Sequence, residues 1–370
     1  MSGRPESPPR TAGDLLVVGG GPAGLATALY AVRAGLDVTV REPRAGDIDK
    51  ACGEGLMPGA LARLLDLGVD PPGHDLEGIR YVAAPRGRRR SPGTAAEDGI
   101  PVGTSSAQAR FRAGPGRGVR RTTLHAALRE AVAAAGVVVE PVAVREVRPE
   151  ADGVVVDGRR FGHVVAADGL HSPVRRGLGL DGPPTRLRRW GLRRHFAVTP
   201  WTSFVEVHWA PQAEAYVTPV GPHEVGVAVL SRTRRSFDGQ LADFPALRDR
   251  LGGAPGGDVR GAGVLRQRTR ARTAGRVLLV GDAAGYVDAL TGEGIALALT
   301  SAQAAVAAVV AGDPQRYERA WPALTRRYRW LTIGLVQATR PAPVRASLVP
   351  LAQRLPSAFG AAVDALARPA

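Results

Sequence analysis

Gly19-Gly20-Gly21-Pro22-Ala23-Gly24 is the stretch that decides how this chain folds. It lies between a short apolar run, residues 14–18, and a stretch of helical apolar periodicity, residues 22–34, that stops at Gly35; a second apolar run, 38–40, follows. The order predicts strand, tight turn, helix and strand, the opening of a doubly wound α/β unit. Each glycine has a distinct task in such a turn. Gly19 allows the reversal, Gly21 lets the backbone come up to a phosphate, and Gly24 lets the helix pack on the strand. Pro22 suits the first helical turn, where a missing N–H costs little. Gly19, Gly21, Pro22, Ala23 and Gly24 are therefore candidate contacts for a pyrophosphate at the helix N-terminus, where unpaired N–H groups and the helix dipole favour an anion.

Glu42 follows the last glycine at about the 20-residue spacing expected of a ribose-binding acid. A carboxylate there accepts from a ribose diol and repels a ribose phosphate, so the turn suits FAD or NAD and not NADP. This one turn does not separate the two.

Composition narrows the field. A chain of 370 residues exceeds one comfortable domain, and its 44% hydrophobic content, spread throughout, excludes a largely disordered protein. The formal charge of +15 comes from 49 basic residues of which Lys50 is the one lysine, so it fits an arginine bias as well as it fits selection for phosphate. No nucleic-acid recognition motif accompanies it, and no nucleic-acid partner is expected. The single cysteine, Cys52, excludes an intrachain disulfide and a multi-cysteine metal site, and the seven histidines show no zinc spacing. No metal is expected, and a reducing cytoplasm is the expected compartment. Residues 1–11 read as a polar, proline-rich tail without signal-peptide features. The apolar run 295–311 contains Thr300, Ser301 and Gln303, falls short of a span of about 20 residues, and reads as a buried helix.

Helical periodicity recurs at 56–67 and 122–135, and strand-like runs at 137–147, 153–156 and 161–166. Between 187 and 264 the texture changes to short alternating runs such as Phe204-Val205-Glu206-Val207-His208-Trp209, with 78–83 and 108–111 adding strands. A buried strand at 277–280 then leads into Gly281-Asp282 and a long helix, and residues 317–367, broken by Pro341, Pro343, Pro350 and Pro356, read as short packing helices. The expected architecture is α/β: a Rossmann-type FAD-binding domain (12–75, 113–182 and 265–312), interleaved with a mostly antiparallel β-sheet substrate domain (76–112 and 183–264), plus C-terminal helices (313–370).

Two later stretches choose the cofactor. Ala166-Ala167-Asp168-Gly169-Leu170-His171-Ser172-Pro173-Val174-Arg175 and Gly281-Asp282-Ala283-Ala284 resemble the Asp-Gly and Gly-Asp motifs of flavoprotein monooxygenases similar to para-hydroxybenzoate hydroxylase. The resemblance covers about residues 13 to 310 and implies FAD. It implies that Asp282, beside Gly281, bonds the ribityl chain and that Thr291-Gly292-Glu293-Gly294-Ile295 points at the flavin; Asp168 and Arg121 match further cofactor-flanking positions. Lys50-Ala51-Cys52-Gly53-Glu54-Gly55-Leu56 resembles a loop beside the flavin in the geranylgeranyl reductase branch of the same superfamily, which adds Lys50, Cys52 and Gly53 to the candidates. Cys52 itself reads more readily as a packing residue than as a nucleophile.

The reaction is less legible. The aromatic and proline substrate motif of the reductase branch is degraded here to Glu214-Ala215-Tyr216-Val217-Thr218-Pro219, and the halogenase motif of paired tryptophans and catalytic lysine finds no match. The expectation is an NAD(P)H- and O2-dependent hydroxylase of an aromatic or polyketide-like lipid in secondary metabolism. The alternatives are an FAD-dependent ene-reductase of a prenyl or other lipid double bond and a non-catalytic flavin-binding protein. His195, Glu206, His208 and Tyr216 are the candidates for orienting or deprotonating a phenol, since they fall on the predicted β-sheet and alternation puts Glu206 and His208 on one face. Ordinary core or surface roles stand beside that reading. The partner expected is an apolar or aromatic small molecule, with no transmembrane segment, peripheral membrane contact allowed, and the oligomeric state and nicotinamide site left open.

Overall fold

A computed structural model describes residues 15–83, 104–185, 188–290 and 292–368. The tail 1–11, the arginine cluster 86–90 and the cofactor candidate Thr291 lie outside the described residues.

The Leu15–Val18 strand is the centre of a six-stranded sheet. It pairs in parallel with Val38–Arg41 on one side and His163–Ala166 on the other, and Val277–Leu279 and Val138–Glu140 extend the parallel array. All four of its residues are buried, which is why the run shows no polar alternation: a parallel strand is covered on both faces. The Pro22–Arg33 helix packs beside the long Gly294–Val310 helix over this sheet, in one core with Leu25, Leu29, Leu299 and Val306. The strand expected over 137–147 ends at Glu140, because Pro141 has no N–H to continue a ladder; pairing resumes at Val147–Pro149 in a separate three-stranded meander.

The second large sheet has seven strands, in the order Arg260–Gly263, Trp190–Phe196, Glu224–Ser231, Ala213–Gly221, Phe204–Trp209, Gly78–Ala83 and Ser106–Arg110. Its pairings are antiparallel except that Phe204–Trp209 runs parallel to Gly78–Ala83. One face carries Ala215, Val217 and Val227 against the short Phe237–Leu241 and Pro245–Leu251 helices. The other carries Ile79, Val205, Val207 and Trp209 towards Met57, Leu290 and the C-terminal helices.

The C-terminal segment departs from the expectation of short helices. Its first helix, Pro314–Ala338, is 25 residues long and runs through Pro322. Tyr317, Trp321, Thr325, Tyr328, Thr332 and Val336 form one buried stripe along it, and packing of that stripe outweighs the single backbone bond that a proline removes. Pro350 likewise lies inside a helix, Ala342–Arg354, whereas Pro341 precedes that helix and Pro356 opens Pro356–Ala367. Among the described residues no helix is long and apolar enough to cross a membrane, and no cluster of His, Cys, Asp or Glu could hold a metal ion.

Candidate functional site

The glycine turn is shaped from both sides. A Cβ on Gly19, whose φ is 106°, would lie 2.6 Å from the Ala167 carbonyl oxygen, and one on Gly24 would lie 1.8 Å from that of Gly19. Helix and neighbouring strand thus close on the turn at a distance only glycine permits. A Cβ on Gly21 would meet nothing within 4 Å, so the helix begins on open space. No side chain caps it and no acid occupies its first turn, which leaves its N–H groups available to an anion.

Glu42 stands at the edge of that space. Its Oε2 accepts from the Gly20 N–H at 2.8 Å and its Oε1 from Arg44 Nε at 2.7 Å. Burial pushes this carboxyl up, but the bonds from Arg44 and the Gly20 and Arg44 backbone outweigh it and hold the group below the ordinary carboxylate range. A second acid, Asp282, lies in the 3-10 turn Gly281–Ala284 at the end of the Val277–Leu279 strand. Burial raises it, against the opposing charges of Lys50, Arg121 and Arg175. The Lys50 ammonium reaches back over the Asp-Gly turn, within 3.0 Å of where a Cβ on Gly169 would stand, and burial lowers its pKa while Asp282 supports its charge.

Two groups in this cleft lack protein partners. Arg121 opens the Arg121–Ala134 helix and is buried, yet its Nε and Nη1 make no hydrogen bond; burial lowers its pKa against the charges of Cys52, Asp282 and Glu54. Asp168 gives Oδ2 to the Val174 N–H at 3.0 Å, capping the Pro173–Gly177 helix, while Oδ1 is buried without a partner. Burial pushes that carboxyl up as well. Orphaned donors and an orphaned acceptor around an open helix N-terminus fit a large polar cofactor better than a closed core. The glycine turn, the Glu42 carboxylate and the Arg121 guanidinium suit the pyrophosphate, ribose and flavin of FAD.

Arg175, which was no candidate in its own right, holds the two later motifs together. It is fully buried and donates to the Leu170 carbonyl at 3.0 Å, the Ala283 carbonyl at 3.1 Å and Asp181 at 2.6 Å. Gly292, with φ 68°, and buried Glu293 precede the Gly294–Val310 helix, where Ile295 occupies the first turn. Cys52 lies between these groups. Burial pushes its thiol up, and its Sγ accepts from the Glu54 N–H at 3.4 Å, which suits a thiol and not a nucleophilic thiolate. Gly53 accepts the Thr218 hydroxyl at 2.8 Å and so ties this loop to the seven-stranded sheet.

The four substrate-wall candidates separate. His195 reaches the loop beside the cleft: its Nε2 lies 2.7 Å from Glu54 Oε2 and its Nδ1 2.9 Å from Arg193 Nη1. Arginine can only donate, so Nδ1 accepts and the proton sits on Nε2, directed at Glu54. Glu206 and His208 do share a face, 3.1 Å apart, but it is the wrong one. Glu206 is bound there by Trp201, Arg80 and Arg250, on the side of the Pro245–Leu251 helix, because the apolar phase Val205, Val207, Trp209 claims the opposite face. Tyr216 alone of the four lines the small apolar cavity, of about 40 Å³, that this phase creates with Met57, Ile79, Tyr81, Leu290, Gly292, Leu335 and Leu366. Its hydroxyl donates to the Leu290 carbonyl at 2.9 Å, and burial holds its pKa well above the usual phenol value. Met57, Tyr81 and Trp209 were missed as cavity residues; the alternation of Phe204–Trp209 carried the signal in its apolar phase.

No family model matches this sequence. It is 31% identical over 345 residues to the menaquinone reductase of Mycolicibacterium smegmatis, covering 86% of this chain and 81% of that one. It is 28% identical over 330 residues to digeranylgeranylglycerophospholipid reductase 2 of Methanosphaera stadtmanae, covering 78% and 75%. Among solved structures, the flavin-dependent brominase Bmp2 superposes with a TM-score of 0.78 at 17% identity, over 95% of this chain and 93% of that one, a likeness of fold. A relative this similar over this much of both chains places the protein: it belongs to the family of FAD-dependent oxidoreductases that contains the menaquinone and geranylgeranyl reductases.

Proposed function

We propose that the protein is an FAD-dependent reductase that saturates a carbon–carbon double bond in the isoprenoid chain of a lipid, with NAD(P)H as the source of electrons. The reading rests on one observation above all: the cavity beside Gly292 is lined by Met57, Ile79, Tyr81, Val205, Val207, Trp209, Tyr216, Leu290, Leu335 and Leu366, without an acid, a histidine or a basic side chain. Such a lining favours aliphatic carbon over polar groups and keeps water out.

The hydroxylase expected from the sequence needs a group that takes a phenolic proton. Glu206 and His208 face away from the cavity, His195 lies outside its lining with Nε2 directed at Glu54, and the Tyr216 hydroxyl is committed to Leu290 with its proton firmly held. The names of the relatives matched over most of their length favour reduction too.

In this reading FAD, when bound, supplies the hydride chemistry. The residues of the chain bind and orient: the N–H groups after Gly21 meet the pyrophosphate, Glu42 the adenosine ribose, and Asp282 the ribityl hydroxyls, while Arg121 offers its free guanidinium edge to the flavin region. Tyr216 holds the Leu290 end of the segment that leads to Gly292 and so fixes the cavity against the cofactor cleft. Incubation of the FAD-loaded protein with NADH or NADPH and either menaquinone or a geranylgeranyl lipid, under argon, tests the proposal. A product that stays heavier by two hydrogens after the quinone ring has been re-oxidised is expected. A product that needs oxygen and gains an oxygen atom would restore the hydroxylase, and bound flavin that neither nicotinamide bleaches would favour a non-catalytic binder.

A further inference from the structure

The C-terminal helices carry charge of one sign. Between Glu318 and Asp364 the sequence holds seven arginines and no acid, although the chain has 34 acids in all. Elsewhere exposed arginines face acids: Arg33 pairs with Asp66, Arg110 with Glu77 and Arg160 with Asp152. Within the stretch, Arg319 and Arg345 find theirs outside it, in Asp313 and Glu214. Arg326, Arg329, Arg340 and Arg354 are exposed and have no ion pair among the described residues. Bulky apolar side chains stand among them. Trp330 is 77% exposed, and Val344, Leu351 and Leu355 are 40%, 52% and 51% exposed. Helical period accounts for their placement. In Pro314–Ala338 the stripe from Tyr317 to Val336 takes the buried side, and Arg326, Trp330, Gly334 and Gln337 fall on the other. In Ala342–Arg354, Val344, Leu351 and Arg354 point away from the side of buried Arg345, Val349 and Ala352.

We propose that the exposed sides of these two helices dock on an anionic lipid bilayer, with Trp330 at the level of the headgroups and Arg326 and Arg329 against lipid phosphates. Single exposed apolar residues are ordinary on a protein surface. Tryptophan, leucine and valine recurring along exposed helix sides, with unpaired arginines between them, match a partner that is anionic outside and hydrocarbon within. A folded acidic protein offers the first property and not the second. The helix of Trp330 also lends Leu335 to the apolar cavity, so docking keeps that cavity within a helix diameter, about 10 Å, of the lipid. The inference stands apart from the reductase reading, since it holds whatever reaction the cofactor runs.

The test sediments the full FAD-loaded chain with vesicles of phosphatidylcholine, alone or mixed with phosphatidylglycerol. The mixed vesicles should bind it roughly tenfold or more tightly than the neutral ones, and added salt should release it. Arg326→Gln with Arg329→Gln should weaken that binding by roughly tenfold or more. Arg145→Gln with Arg148→Gln, which removes the same charge beside the Val147–Pro149 strand, should leave it nearly unchanged. Mixed vesicles containing lipid brominated near the headgroup should quench part of the tryptophan fluorescence, and Trp330→Ser should abolish that quenching. All of these side chains are exposed, so flavin content should not change, and its measurement shows that each variant is folded. Equal binding to neutral and anionic vesicles, an equal loss in the two arginine pairs, or quenching that survives Trp330→Ser overturns the docking face. So does a protein that binds neither vesicle and forms a dimer that Trp330→Ser dissociates, because the face then belongs to a second copy of the chain.

Discussion

The cofactor cleft and the sheet-to-helix junction are built by opposite means. In the cleft the candidate contacts come as short motifs: a glycine turn, an Asp-Gly turn and a Gly-Asp turn, each at the end of a parallel strand of one sheet. At the junction they are single side chains. Arg189, Glu214, Asp288 and Arg345 come from separate elements and meet only because the chain folds. The cleft leaves polar groups unpaired, Arg121 and Asp168 among them, whereas the junction pairs every charge of its quartet. One region awaits a partner and the other has found it.

The difference predicts different costs for removing a carboxylate. Glu214→Ala leaves Arg189 with Asp288 alone and Arg345 without its acid, both out of water, and should lower stability by roughly 3–5 kcal/mol. Glu42→Ala removes a carboxylate that is also buried, but one held by the Gly20 N–H and by a half-exposed Arg44 that can return to water, so it should cost less, about 1–2 kcal/mol, and in addition weaken FAD binding. Urea denaturation of the flavin-free protein, with FAD titration alongside, reads both. An equal loss of stability in the two variants breaks the distinction.

Acid should likewise act on the two regions in opposite directions. Burial pushes Asp288 up to about 6, above its ordinary 3.8. A carboxyl raised by folding contributes stability that is present below pH 4 and is lost as pH rises through 6, and a shift of this size corresponds to roughly 3 kcal/mol. His163, in the parallel sheet, is pushed down to about 4 by burial and then by Arg276. Its contribution has the reverse sign: it is full above pH 6.5 and is lost as pH falls towards 4. Asp288→Asn should remove the fall in stability between pH 4 and 6, and His163→Asn the fall on acidification. Chemical denaturation at fixed pH values measures each as a difference from wild type; slopes of the same sign would sink the assignment.

Within the cleft, two glycines separate folding from binding. Gly24→Ala drives a methyl to within 1.8 Å of the Gly19 carbonyl oxygen and should cost about 1–3 kcal/mol of stability, since neither the strand end nor the helix can yield. Gly21→Ala places the same methyl in open space, so the flavin-free protein should melt as wild type while FAD affinity falls about tenfold or more, the methyl standing where a phosphate would come. Calorimetry of the flavin-free proteins, followed by FAD titration, separates them; matching effects from both variants would mean that the open space in front of Gly21 is not where the cofactor comes.

These contrasts also explain what could be read from the linear chain. The Gly78–Ala83 strand falls at its expected position, and the Leu15–Val18 strand and Pro22–Arg33 helix agree with it to within a residue at each end, because local pattern alone determines them. The cofactor candidates Gly21, Glu42, Asp168 and Asp282 also sit at turns with their own signals. The substrate side was read in the wrong phase. Choosing Glu206 and His208 for their chemistry set aside the apolar members of the same alternation, Val205, Val207 and Trp209, which share the face turned to Met57 and Leu290, although both faces of the strand are buried. Arg193, on one side of His195, carries no motif, and Glu54, on the other, lies in the 50–56 loop without a signal of its own; nothing in the sequence brings residue 54 to residue 195 except the fold. The 25-residue Pro314–Ala338 helix was obscured by Pro322, since a proline is a reliable stop only where packing on either side of it is weak.

The smallest predicted effect lies where the two regions touch. The Thr218 hydroxyl, 1% exposed, donates to the Gly53 carbonyl at 2.8 Å and joins the seven-stranded sheet to the loop that carries Lys50 and Cys52. Thr218→Val keeps the shape and removes the bond; Gly53 is exposed, so water can take its carbonyl, and the change should cost about 1 kcal/mol or less. If the sheet positions that loop for the cofactor, FAD affinity should fall as well, by less than tenfold, because the lost energy is shared between holding the loop and folding the sheet. A variant that binds FAD as tightly as wild type would show that this bond does not position the loop, which is then held by His195 to Glu54 at 2.7 Å from the sheet and by the Arg121 N–H to Glu54 at 2.8 Å from the cleft.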